Sequence, residues 1–418
     1  MNANSHPCFS ADARHKFGRI HLPVAPLCNM QCGYCNRKTD CINESRPGVT
    51  SAVLTPVQAV KYLDSVIEKL GNISVVGIAG SGDPFANPSE TINTLSLVRD
   101  KYPDIILCVA TNGLEVAEYA EELAKLKVSH VTVTVNALNA KTGGRIYEWA
   151  RYGRKMYRGE DAAGIILERQ TEGIILLKQN KITVKINTVV IPGINDKEVA
   201  GIAKKIAALG ADIQNCVPLY HVAGTAFENM EPMPNEEMDA IRSEAGRYIG
   251  QMSHCMRCRA DAAGMLGHEN SAEITDLLES HSKNYITEER PFIAAASMEG
   301  LLVNQHLGEA PSLWIFGFSD GKPQLIDRRF TPIPGGGDAR WNEMAILLSD
   351  CGAVLVSGIG KRPKEILEHS GIRVIEMEGL INEAAQQLFK GGEIPGIMLR
   401  KAGCGIGKTC GGTGTGCG

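Results

Sequence analysis

The sequence predicts an α/β fold: a partial (β/α)6 barrel of TIM type followed by a second, smaller α/β domain. Three observations predict it. Short β-branched runs alternate with helical patterns from about Gly18 to Pro218. A polar, aperiodic stretch then follows CMRCRADAAGMLG, and strand–helix alternation resumes at Pro291. Repeated strand then helix specifies parallel strands joined by right-handed crossovers, with chemistry at the C-terminal strand ends.

In the first block the strand candidates are GRIHLPV, ISVVGIAG, IILCVATNG, HVTVTVN, ITVKINTVVIPG and DIQNCVPL. Helix-like stretches such as PVQAVKYLDSVIEKLG and EVAEYAEELAKLK lie between them, with apolar residues at helical spacing. The second block offers strands FIAAAS, SLWIFGF, AVLVSGIG and RVIEME, and helices ARWNEMAILLSDCG, RPKEILEHSG and INEAAQQLFKGG. These place an N-terminal arm at 1–17, the barrel at 18–268, a helix plus linker at 269–290, the second domain at 291–402 and a Gly/Cys-rich tail at 403–418.

Composition narrows the function. A net charge of -4 with scattered Lys and Arg lacks the basic footprint of a nucleic-acid binder. No apolar run is long enough for a signal peptide or a membrane span, so the expectation is a soluble cytoplasmic protein with neither nucleic acid nor membrane as partner. In that compartment thirteen cysteines stay as thiols, and their clustering points to metal or redox chemistry.

Cys28, Cys32 and Cys35 are spaced CxxxCxxC directly after the first strand. Three thiolates on one tight loop suit three corners of a 4Fe-4S cubane and leave the fourth iron open. A zinc loop completed by Cys41 is the competing reading. The second strand closes on GIAGSGDP, where Gly80 and Gly82 allow close backbone approach to a ligand and Asp83 can accept from an ammonium. Further strand ends carry Asn112, Thr134 and Asn136, and the pair Ile186 and Asn187. The late CxxC, Cys255 and Cys258, is a metal pair by spacing but wants a third ligand, for which Cys8 is a candidate. Cys41, Cys108 and His21 are further donors, and Cys216 completes the first domain's set.

The cysteine spacing resembles the radical S-adenosylmethionine (SAM) superfamily, whose open iron chelates the amino and carboxylate groups of SAM. GSGDP is similar to that superfamily's glycine-rich segment, usually GGEP, with Ser81 and Asp83 departing from it. Tyr34 is then placed to lie against the adenine. Taken together, HPCFS, IHLPVAPLCNMQCGYCNRKTDC, GIAGSGDP, IPGIND and CMRCRADAAGMLG closely resemble the NifB family of nitrogenase iron-molybdenum cofactor biosynthesis proteins, from about residue 5 to 268. LVNQHLGEAPSLWIF and VLVSGIGKRPKEILEHSGI resemble the NifX-like domain fused behind NifB in many members, of ribonuclease H-like architecture.

The resemblance implies three 4Fe-4S clusters: one that binds SAM and two auxiliary ones that are substrate. It places one auxiliary cluster on Cys8, Cys255 and Cys258, and the other on His21, Cys41 and Cys108. It further implies that one SAM methylates a cluster sulfide and a second is cleaved to a 5'-deoxyadenosyl radical, which abstracts hydrogen from that methyl. The carbon ends as a carbide while the two cubanes fuse, with an extra sulfur, into NifB-co (8Fe-9S-C). Implied partners are NifEN-type scaffolds and NifX-type carriers as product acceptors, a ferredoxin-type electron donor and iron-sulfur cluster donors. Two alternatives are a non-enzymatic iron-sulfur scaffold or carrier and a radical SAM enzyme acting on another substrate.

In the second domain, GGGD (Gly335 to Asp338), His306 and Cys351 are possible contacts for an anionic cluster, with loop formation and core packing favoured for the glycines and Cys351. AGCGIGKT near the end is rejected as a phosphate loop, because CGGTGTGCG cannot form the helix such a loop requires. Cys404, Cys410 and Cys417 fit no cluster spacing and read as part of a mobile terminus.

Overall fold

The computed structural model describes residues 6, 16–36, 50–220, 222–252, 259–265, 268–269, 271–283, 285–287, 289–390 and 394–399. Cys8, Cys41, Cys255, Cys258 and the three tail cysteines lie outside the described residues. The chain divides into two compact units, 1–279 and 280–418.

In the first unit the strands are β1 (Gly18–His21), β2 (Met30–Cys32), β3 (Ile73–Ile78), β4 (Ile106–Thr111), β5 (Val128–Thr134), β6 (Tyr147–Tyr152), β7 (Lys155–Arg158), β8 (Thr183–Val190), β9 (Ile213–Pro218), β10 (Ala263–Met265) and β11 (His268–Glu269). The main sheet runs β11-β10-β1-β3-β4-β5-β8-β9. Its six strands from β1 to β9 are parallel and follow chain order, which is the expected open (β/α)6 half-barrel. β10 adds antiparallel at the β1 edge.

The principal helices are α1 (Pro56–Leu70), α2 (Pro88–Lys101), α3 (Ala120–Lys125), α4 (Ala140–Gly143), α5 (Gly159–Gln179), α6 (Val199–Ala208), α7 (Asn235–Ala245) and α8 (Ala272–Lys283). Local chemistry sets their ends. Thr55 accepts from the Gln58 N–H while the Gln58 side chain accepts from the Thr55 N–H, a capping box that starts α1; Gly71 at φ 70° stops it.

The strands alternate between two environments. Ile20, Val76, Ile78, Leu107, Val109, Val131, Val133, Val184 and Ile186 share a core with the helical residues Val66, Val98, Leu123, Ile174 and Ile202. Burying each such side chain contributes roughly 1.5–3 kcal/mol, which fixes the register of every strand. The intervening residues, among them His21, Gly77, Cys108, His130, Thr134 and Asn187, therefore turn to the opposite face.

One element was not anticipated. β6 and β7 form a hairpin between β5 and α5, and β6 pairs antiparallel with β2 through Met30–Ala150, Gln31–Trp149 and Cys32–Tyr147. The cysteine loop is thus partly a strand.

The second unit has β12 (Phe292–Ala295), β13 (Leu302–Val303), β14 (Ser312–Ser319), β15 (Lys322–Phe330), β16 (Cys351–Val356), β17 (Arg373–Glu376) and β18 (Gly379–Leu380), with α9 (Asp338–Leu347), α10 (Lys361–His369) and α11 (Ile381–Phe389). Its main sheet is ordered β15-β14-β12-β16-β17, three strands paired antiparallel followed by two parallel additions, the ribonuclease H-like arrangement. Gly335, Gly336 and Gly337 all have positive φ and lead into α9, while Asp338 pairs with Arg362 at 2.8 Å. Cys351 is buried in the core, and burial pushes its thiol up to about 12.

Candidate active site

At the C-terminal ends of β3, β4, β5 and β8 one cavity receives Cys28, Cys32, Cys35, Tyr34, Gly82, Asp83, Asn112 and Thr134, together with Met30, Tyr147 and Asn187. The three thiols are partly buried and unbridged. Among the described residues no three His, Cys, Asp or Glu side chains converge on a point that a single ion would occupy. The thiols instead surround a cavity beside a glycine-bearing strand end, and such a soft, three-thiolate donor set fits a cubane with one open corner.

The loop that carries them is held rigidly. The Gly33 N–H donates to the Ile146 carbonyl at 2.7 Å, and the Gln31 amide donates to the carbonyls of Cys32 and Cys35 at 3.0 and 2.6 Å. Ahead of the first cysteine, Gly82 N–H donates to Ala25 and Asp83 N–H to Leu27, each at 2.7 Å. Asn87 grips Leu27 from both sides, accepting from its N–H at 3.1 Å and donating to its carbonyl at 2.8 Å.

That strapping explains Gly82. A Cβ there would stand 1.9 Å from the Leu27 carbonyl oxygen, so the close approach is between two backbones of this chain, whatever else Gly82 faces. Gly80, at φ +117°, shapes the turn and does not line the cavity. Gly82→Ala is expected to break the two strapping bonds and cost roughly 3 kcal/mol. Chemical denaturation of the variant measures this; an unchanged midpoint would refute it.

Asp83 lines the cavity and is also tied into the fold. Its carboxylate accepts from the Phe85 N–H at 2.9 Å, from the Thr111 hydroxyl at 2.9 Å and from the Asn112 N–H at 2.6 Å. It is buried, and burial raises its pKa against those donors. The side chain is a latch between the ends of β3 and β4, a structural role that the sequence reading did not include.

Tyr34 receives a hydrogen bond from the Asn136 amide at 2.7 Å, and Asn136 in turn accepts from the Val189 N–H at 2.8 Å. Asn136 is therefore a strut behind Tyr34, away from the cavity wall. Burial pushes the Tyr34 phenol up, so it stays protonated. Ile186 does not line the cavity: it is fully buried in the core behind the sheet, and its neighbour Asn187 takes the facing position. The period of two puts only one of the pair on each face.

One pleat deeper, register aligns His21, Gly77, Cys108 and His130 across β1, β3, β4 and β5. Gly77 has no side chain to fill the middle of the row. A Cβ there would meet Cys108 Sγ at 2.8 Å and His21 Cδ2 at 2.9 Å, so the two donors lean together over it. His21 Nδ1 lies 2.9 Å from the Arg259 carbonyl, which only accepts; the proton is on Nδ1 and the Nε2 lone pair is free to bind. Burial holds its pKa down at about 4.

His6 and His130 were missed in the sequence. His6 is buried with its ring 4.6 Å from that of His130, so residue 6 of the arm reaches the sheet interior. A lone histidine carries no signal of this kind, although His6 stands two positions before Cys8. Cys216 is a core thiol, 3.3 Å from Gln251 Oε1 and pushed up to about 12 by burial.

A half-barrel with a CxxxCxxC loop after its first strand and a glycine-bearing second strand end defines a radical SAM protein, and the Radical SAM superfamily model matches residues 22–206. The chain belongs to the NifB family of FeMo cofactor biosynthesis proteins. It is 50% identical to the FeMo cofactor biosynthesis protein NifB of Chlorobaculum tepidum over 423 residues, covering 100% of this chain and 99% of that one. The NifB of Klebsiella pneumoniae is 41% identical over 88% of this chain and 86% of its own. That of Azotobacter vinelandii is 38% identical over 88% and 84%. The dinitrogenase iron-molybdenum cofactor family matches residues 289–391, the NifX-like domain. The protein is thus an enzyme of nitrogenase cofactor biosynthesis, and its family implies a 4Fe-4S cluster and SAM. Among the described residues no helix is long and apolar enough to cross a membrane.

Proposed function

We propose that the enzyme fuses two four-iron substrate clusters, with insertion of a SAM-derived carbide and an extra sulfur, to give NifB-co. The observation that carries this reading is the second donor row. His21 Nε2 and Cys108 Sγ converge over Gly77 on the same strands whose ends form the thiol cavity, so a further iron-sulfur cluster has protein donors within the barrel. Cys41 completes that set in this reading, and Cys8, Cys255 and Cys258 hold the other substrate cluster. His6, buried against His130, brings the arm's chain toward the same interior.

Cys28, Cys32 and Cys35 hold the SAM-binding cluster, whose chemistry when bound is to deliver one electron to the SAM sulfonium. The rest is positioning by this chain. Tyr34, braced by Asn136, stacks on the adenine. Asp83 locks the β3 and β4 ends so that the backbone beside Gly82 faces the methionine end. Thr134 and Asn187 flank the ligand from β5 and β8. Three-ligand substrate sites leave exchangeable corners, which a product that must depart requires. NifEN-type scaffolds and NifX-type carriers then accept NifB-co, a ferredoxin-type protein supplies electrons, and iron-sulfur donors replenish the substrate sites.

Anaerobic reconstitution, iron counting and electron paramagnetic resonance test the proposal. About twelve iron atoms per chain are expected, in three cubanes of which one responds to SAM. Cys8→Ala should lose one auxiliary signal and spare the SAM-responsive one. A single four-iron cluster with full SAM cleavage would refute the substrate-cluster reading.

A further inference from the structure

The amide of Asn112, at the end of β4, points at the first cluster cysteine. Its Nδ2 lies 3.8 Å from Cys28 Sγ and 2.7 Å from Asn29 Oδ1, so its two N–H groups have separate acceptors. The orientation is fixed by neighbours. Asn112 Oδ1 accepts from the Leu114 N–H at 2.8 Å, which leaves only the nitrogen to face Cys28. Asn29 is oriented in the same way: its Nδ2 donates to Glu115 Oε2 at 2.9 Å, so its oxygen must face Asn112. The Asn112 backbone is pinned too, its N–H donating to Asp83 at 2.6 Å and its carbonyl accepting from Gln170 at 2.8 Å.

We propose that Asn112 is a tuning residue: its side-chain N–H donates to the Cys28 thiolate and raises the reduction potential of the cluster that Cys28 helps to hold. The inference rests on the reading of Cys28, Cys32 and Cys35 as that cluster's ligands. Hydrogen bonds to ligand sulfur favour the electron-rich, reduced state, so removing one lowers the potential. Asn112 reaches Cys28 through an amide whose other atoms are committed to the fold. The consequence is that the β4 end, latched by Asp83, sets both where SAM lies and how readily the electron is delivered.

Asn112→Ser is the test. Serine keeps an oxygen that accepts from the Leu114 N–H in the same local turn, but it is too short to reach Cys28. Redox titration of the SAM-responsive signal, in full-length reconstituted protein without SAM, is expected to show a midpoint more negative by about 59 mV, a roughly tenfold change in the one-electron reduction equilibrium. Asn29→Ala, which leaves the Asn112 donor anchored at Leu114, is expected to shift it far less. An unchanged midpoint in Asn112→Ser, or equal shifts in both variants, would overturn the proposal. Should Asn112→Ser fail to hold iron, Asn112→Thr decides, since its hydroxyl likewise accepts from the Leu114 N–H, is too short to reach Cys28 and adds no charge. A negative shift there supports the tuning role and none refutes it. Absence of any SAM-responsive signal in the unsubstituted protein would instead overturn the ligand reading itself.

Discussion

Cys32→Ala is expected to abolish SAM cleavage and product formation while leaving the rest of the iron in place. The argument is local. Cys32 closes β2, where it pairs with Tyr147 of the hairpin, and its thiol faces the cavity between those of Cys28 and Cys35 in the chain. Two thiolates cannot anchor a cubane that must also keep one corner open. Iron should fall by about four atoms in twelve, and the deoxyadenosine released from SAM should fall to background. The backbone bonds of Gly33 to Ile146 and of Cys35 to Cys32 do not need the thiol, so the hairpin stays seated. Retention of cleavage in Cys32→Ala would show that the electron arrives by some other centre.

The second large effect separates cleavage from synthesis. Replacing both His21 and Cys108 by alanine should remove about four iron atoms and all NifB-co, yet leave SAM cleavage near that of the unsubstituted protein. These two donors lie one pleat below the thiol cavity, over Gly77, and neither touches the cysteine loop among the contacts described. The His21 ring is anchored through Nδ1 at Arg259, so His21→Gln, which preserves a polar group at that carbonyl, separates loss of a ligand from loss of an anchor. Full product formation by the double variant would contradict the assignment.

Much of this was legible in the sequence because the signals were local. The CxxxCxxC loop and the alternation of strands with helices each lie within a short window, and their structural readings agree. What escaped depended on register, which is set by burial summed over the sheet. Choosing Ile186 over Asn187 required knowing which face of β8 meets the helices. Seeing that Asp83 also latches two strand ends required knowing that Thr111 and Asn112, nearly thirty positions on, would donate to its oxygens. Gly82 read as room for a ligand, whereas the tightest approach is to Leu27, a contact made by a bridge between Ala25 and Ser81 that no spacing announces. The hairpin of β6 and β7 was overlooked although its aromatics are plentiful: it pairs with the cysteine strand through β6 and packs in a cluster separate from the main core, outside the strand–helix alternation.

Among the described residues the main sheet stays open: β9 ends one side and β11 the other, and six of its eight strands are parallel. A complete eight-strand cylinder has a bore that side chains alone fill. A trough has no such limit. In the proposed reading, an inorganic cargo the width of several residues would be laid in, welded and lifted out sideways, without the walls having to part.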